Sequence, residues 1–183
     1  MAARPMTIDD LPGELILWVL IVSELAVFMA GVSVMVILGL LDPEGFATAQ
    51  SQLDGRMAAL NTVVLVTSGL FAARAERDAA HGRPRAARRG LLLAALGGVV
   101  FLIVKGVEYA HDIQAGIGID SHPFFTFYYL LSGFHAAHVI AGIVVLLLVA
   151  YRAASAPVQA GAMFWHMVDL IWVMILPAVW LIW

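Results

Sequence analysis

Two histidines three residues apart, His135 and His138, interrupt the apolar run LLSGFHAAHVIAGIVVLLLVAYR (130–152). Glu24 stands alone in the equally apolar LILWVLIVSELAVF. His166 and Asp169 are three apart in FWHMVDLIW, and Lys105 and Glu108 are three apart in FLIVKGVEY. Side chains of these types can ligate haem or a metal, relay protons, or tie helices together through polar contacts. Ionisable groups in hydrocarbon are costly and usually face other protein rather than lipid. Two groups three apart on a helix share a face, so each i,i+3 pair can close an internal ion pair or hydrogen bond.

The spacing discriminates among these chemistries. A b-type haem takes one axial histidine from each of two helices. His135 and His166 lie at different depths, since His166 is only about one turn inside its apolar stretch. A metal site of Glu24, His135 and His138 lacks a second carboxylate–histidine set on facing helices. A proton path needs polar groups across the whole membrane, and Glu24, His135 and Asp169 sample only part of that depth. Polar links that fix helix packing fit the pattern best, with Glu24, His135 and His138 as one intramembrane cluster. Glu24 is expected to be either protonated or hydrogen-bonded to one of the two histidines on the neighbouring helix. His166 and Asp169 form a second cluster, and Lys105 and Glu108 an ion pair. Ser68, in VTSG, has no Gly-x-Ser-x-Gly around it and reads as structural. Trp165, Trp172, Trp180 and Trp183 read as interface anchors and lipid-facing packing.

The elements that carry these residues follow from composition. The 183 residues are 62% hydrophobic and 13% charged, with mean hydropathy +0.94. Soluble domains are only about half apolar. There is no cysteine, which excludes disulfides, thiolate metal sites and c-type haem attachment. A membrane span needs about 20 apolar residues. Five stretches qualify, at about 15–41, 57–75, 91–110, 124–151 and 162–183, and a lipid-exposed backbone makes each a helix. Pro12-Gly13 precedes the first and Asp42-Pro43 ends it. The expected fold is an all-α, five-helix membrane bundle forming a single domain over 1–183.

Charge sets the orientation. The connection ARAERDAAHGRPRAARRG carries Arg74, Arg77, Arg83, Arg85, Arg88 and Arg89, and the positive-inside rule puts it in the cytoplasm. Arg4 and Arg152 then also lie inside. The first and third connections lie outside, with Arg56 against Asp42, Glu44, Asp54, Asp112 and Asp120. The C-terminus lies outside. The arginines serve as a topology signal with some anionic-lipid attraction; nucleic acid is not an expected partner.

Five stretches recur in order as a set: VLIVSELAVF, ALNTVVLVTSG, KGVEY, GFHAAHVIAG and FWHMVDLIW. Together they resemble subunit III of the haem-copper oxidases. The resemblance covers about Leu11 to the end. DLPGELILWVLIVSEL and WHMVDLIWVMILP further resemble the short NorE-type members that accompany bacterial nitric oxide reductase.

This resemblance implies the last five of the family's usual seven helices and a place in the bacterial inner membrane. It also implies an accessory, non-catalytic role in assembly, stability or sustained turnover. No haem or copper is carried, and bound phospholipid is the one ligand implied. The partner is the haem-containing catalytic subunit of a nitric oxide reductase, or alternatively of an aerobic cytochrome oxidase. An independent haem-binding or proton-transport protein is the competing class. Glu24 corresponds to an intramembrane glutamate near the face toward the catalytic subunit. Arg152 corresponds to a position near lipid phosphate, and His166 and Asp169 lie close to that region. The family's lipid-filled cleft uses the two further helices as a wall, which a partner would have to supply here.

Overall fold

A computed structural model describes residues 15–152 and 154–183; Arg4, the Pro12-Gly13 pair and the expected N-terminal orientation lie outside them. Six helices follow in order: α1 (Leu15–Leu41), α2 (Pro43–Gln50), α3 (Gly55–Ala80), α4 (Pro84–Gln114), α5 (Pro123–Arg152) and α6 (Ser155–Trp180). All but α2 are long and apolar enough to cross a membrane. The all-α bundle is therefore as expected, and α2 is an addition. Asp42 ends α1 and caps α2 by accepting from Gly45 N at 3.1 Å, with Pro43 in the first turn. Proline suits that turn because its missing N–H has no intrahelical partner there.

Helices α3, α4 and α5 overrun the expected spans at both ends, α6 starts seven residues early, and the arginine-rich connection needs correcting. α3 continues to Ala80 and α4 begins at Pro84, leaving His81–Arg83 as the whole turn. Gly82, at φ 69°, makes the reversal. All six arginines are exposed, five of them on helix ends. Alanine and arginine are strong helix formers, so the helices simply continue beyond the apolar stretch. Arg83 also pairs with Asp78 at 2.8 Å. The same effect moves Asp112 out of the third connection: it is a buried residue of α4, 3% exposed.

Small residues bring the α3–α4 hairpin together. Ala72, Ala75 and Ala79 meet Ala87, Leu91 and Ala94 in the core. A Cβ on Gly90 would lie 2.9 Å from that of Ala75 and 3.0 Å from the Phe71 carbonyl. In lipid, where apolar burial gives no net drive, such close packing does much of the work of association. α4 then packs on α5, α5 on α6, and α6 back on α3, while α1 lies against α5 and α6.

α6 is the most embedded helix, and its tryptophans correct the interface-anchor expectation. Trp165 and Trp172 are fully buried. Trp165 Nε1 donates to Ser68 Oγ at 3.1 Å, and Ser68 donates onward to the Ala94 carbonyl at 2.7 Å. Trp172 Nε1 donates to Thr62 Oγ1 at 3.0 Å. Gly98 and Gly142 make room for the Trp165 ring: a Cβ on either would lie 2.6 or 2.7 Å from its atoms. Gly142 thus admits a ring rather than a neighbouring helix backbone. Trp180 and Trp183 are half-buried.

Candidate functional site

The expected trio of Glu24, His135 and His138 divides. His138 Nε2 lies 3.1 Å from Glu24 Oε2, joining α5 to α1. Its Nδ1 lies 2.9 Å from the Phe134 carbonyl. A carbonyl only accepts, so Nδ1 carries a hydrogen and donates. The Nε2–Oε2 contact then holds one proton, either on the carboxyl or on the ring. Phe28 and Phe134 wall the imidazole at 5.4 and 4.7 Å. The pair is not sealed: His138 and Glu24 side chains are 14% and 25% exposed.

His135 turns the other way. Three helical residues fall about 60° short of a full turn, enough on α5 to aim one histidine at α1 and the other into the bundle. His135 is fully buried, stacked on Trp172 at 5.4 Å and edge-on to Phe101 at 5.4 Å. Neither ring nitrogen has a hydrogen-bond partner among the described residues.

The Lys105–Glu108 pair is part of something larger. Lys105 Nζ lies 2.9 Å from Glu108 Oε1, and both side chains are 2% exposed. Tyr128 Oη, from α5, lies 2.7 Å from the same oxygen and 3.0 Å from Asp112 Oδ2. The ammonium sits within 4.9–5.4 Å of the ring centres of Tyr109, Tyr128, Trp172 and Trp180. Ring quadrupoles attract a desolvated cation. Ser132 Oγ donates to the Tyr128 carbonyl and accepts from Tyr109 Oη at 2.6 Å. Sequence reasoning missed Asp112, Tyr128, Tyr109 and Ser132. The spacing Lys105-x-x-Glu108-x-x-x-Asp112 on one face was the available signal.

The His166–Asp169 pair faces α3, with Nδ1 and Oδ2 3.6 Å apart. A Cβ on Gly69 would overlap the Asp169 carboxyl, so this glycine is what admits the pair. Arg152 is exposed at the end of α5, beside a groove of about 360 Å³ lined by Leu148, Val149, Tyr151 and Pro157. Outside the spans, His122 ties the first and third connections together. It accepts from Phe124 N through Nδ1 at 3.1 Å, which places its hydrogen on Nε2, 3.2 Å from Asp42 Oδ2.

A chain with five spanning helices, acid–base pairs within and between them and tryptophans in its core can be set against known families. A family model described as cytochrome c oxidase subunit III matches residues 13–183. The chain belongs to the cytochrome c oxidase subunit III family. It is 34% identical over 120 residues to the cytochrome c oxidase subunit 3 of Corynebacterium diphtheriae, covering 61% of this chain and 58% of that protein. It thus spans somewhat over half the length of that relative. With a probable cytochrome c oxidase subunit 3 of Nocardia farcinica it shares 31% identity, over 82% of this chain and 78% of the relative. A protein of Aeropyrum pernix named heme-copper oxidase subunit I+III matches 91% of this chain at 27% identity, within 22% of its own length. All the polar pairs described above lie within the part of the chain that the subunit III family model covers.

Proposed function

We propose that this subunit III-type chain is a non-catalytic accessory subunit that packs against the catalytic, haem-containing subunit of a haem-copper oxidase and supports its assembly and sustained turnover. The observation that carries this reading is the match to the Aeropyrum pernix protein, whose name joins subunits I and III in one polypeptide. Glu24 supports it physically. A carboxyl about ten residues into a span lies near mid-membrane, and one left 25% exposed there is costly against lipid. A partner covering the α1–α5 edge relieves that cost. Ser23, Ala26, Ala30 and Ser33 are exposed on α1, and small residues let a partner helix approach closely.

A second reading differs in the partner alone. The stretches DLPGELILWVLIVSEL and WHMVDLIWVMILP favour the catalytic subunit of a nitric oxide reductase, whereas the relatives' names favour a cytochrome c oxidase. In either case the arginine-rich end of α3 and α4 lies on the cytoplasmic side of a bacterial inner membrane, and Arg152 holds a phospholipid phosphate there. Affinity purification from native membranes, with partner identification by mass spectrometry and an absorption spectrum, tests the proposal. Recovery of an oxidase subunit I, with haem confined to it, is expected. Recovery of nitric oxide reductase would select the second reading. A chain that purifies alone with its own Soret band would overturn both.

A further inference from the structure

Within the Lys105 cluster, the Tyr128 hydroxyl has more hydrogen-bond contacts than hydrogens. Tyr128 has one hydroxyl hydrogen, yet its oxygen lies within hydrogen-bonding distance of two carboxyl groups, Glu108 at 2.7 Å and Asp112 at 3.0 Å. An ionised carboxylate only accepts. A single phenol hydrogen shared between two anions would leave each contact weak; both are full two-centre hydrogen bonds only if one carboxyl group carries a proton and donates it to the phenolic oxygen. The charge count agrees: one ammonium faces two carboxyl groups, and all three residues are no more than 3% exposed.

The other facing groups do not supply the missing hydrogen. Tyr109 donates to Ser132, and Tyr129 donates to the Ile117 carbonyl at 2.8 Å. His111, next to Asp112 on α4, is exposed. From α6 the facing residues are Trp172 and Trp180, which do not titrate. Glu108 Oε2 is buried with no hydrogen-bond partner among the described residues, so the cluster keeps an open acceptor as well.

We infer that the Glu108–Tyr128–Asp112 bridge is a buried proton-holding site, separate from the Glu24–His138 pair, and that its proton rests on Asp112. Glu108 is the ionised member. It takes the Lys105 ammonium and the shorter of the two phenol contacts, as charge-assisted bonds do. Asp112 O–H donates to Tyr128 Oη, and Tyr128 O–H donates to Glu108. Moving the proton to Glu108 requires only that both hydrogens shift along this line, with no change in net charge. Loss of the proton leaves two buried anions against one cation.

Infrared spectroscopy of the whole chain in lipid nanodiscs reads this directly. The expected result is a protonated-carboxyl C=O band that shifts on deuteration and on ¹³C-aspartate labelling, and not on ¹³C-glutamate labelling. It should disappear in Asp112→Asn, persist in an Asp169→Asn control, and bleach as pH rises. Labelling needs no substitution, so the test survives a variant that fails to fold. Melting gives a second readout. Asp112→Asn replaces a neutral acid with a neutral amide and should melt with the wild type. Glu108→Gln strands the ammonium and should melt about 10 °C lower. No labelled-aspartate band, a band that follows glutamate and is lost in Glu108→Gln, or equal melting losses in the two variants would each overturn the assignment.

Discussion

The molecule holds two acid–base contacts of nearly the same length in very different settings. Lys105–Glu108, at 2.9 Å, is sealed at 2% exposure, boxed by four aromatic rings and extended by Tyr128 and Asp112. Glu24–His138, at 3.1 Å, is a single link on the edge of the bundle, with both members partly exposed. The helices behind them differ in the same way. α6, which supplies Trp172 and Trp180 to the first site, buries eleven residues, whereas α1, which supplies Glu24, buries Ile21, Phe28, Met35 and Gly39. Contact length alone therefore does not rank the two pairs. The sealed pair is complete within this chain, whereas under the proposed function the open pair is finished by the partner that covers α1.

Stability measurements can break this comparison, and the largest effect belongs to the sealed site. Lys105→Met leaves Glu108 buried without its cation and should cost about 3–5 kcal/mol. Joining it to Glu108→Leu should recover part of the loss, read as melting temperature in detergent. Trp172→Phe removes the N–H that Thr62 accepts and leaves a gap in the same wall. About 1–3 kcal/mol is expected, and Thr62→Val should add little to it, since each change breaks the same bond.

At the open site Glu24→Leu should cost less, at most about 2 kcal/mol. Glu24→Leu with His138→Leu should cost less than the sum of the singles, while Glu24→Leu with His135→Leu should be additive. The reverse pattern would mean that the wrong histidine has been paired. Glu24→Gln keeps the shape and should hardly move melting. Arg152→Ala should leave melting unchanged and lower the co-purified anionic phospholipid seen by mass spectrometry.

Much of the architecture was legible because membranes impose it. Five apolar stretches, the α1 boundary at Leu41 and the i,i+3 pairs all follow from length, hydropathy and helical spacing. What hydropathy cannot tell is which apolar side faces lipid and which faces protein, because both faces are apolar. That is why Trp165 and Trp172 read as interface anchors, although Ser68, Thr62, Gly98 and Gly142 were present to receive them. Asp112 was assigned to a connection because helices continue past the hydrocarbon, and its aqueous appearance concealed a buried bridge. Depth and the three-residue spacing grouped His135 with His138 on one face; the roughly 60° between them on α5 is enough to divide them between two neighbours.

The central claim, that the α1 edge around Glu24 is completed by a catalytic subunit, has a direct test. The chain contains no cysteine, so a single cysteine bearing a photo-crosslinker can be placed at Ala30 on exposed α1, or at Leu96 on exposed α4 as a comparison. In native membranes, Ala30→Cys should crosslink to a haem-containing catalytic subunit and Leu96→Cys should not. Crosslinks to that subunit from Leu96→Cys alone, or from neither position while the complex still co-purifies, would contradict the account.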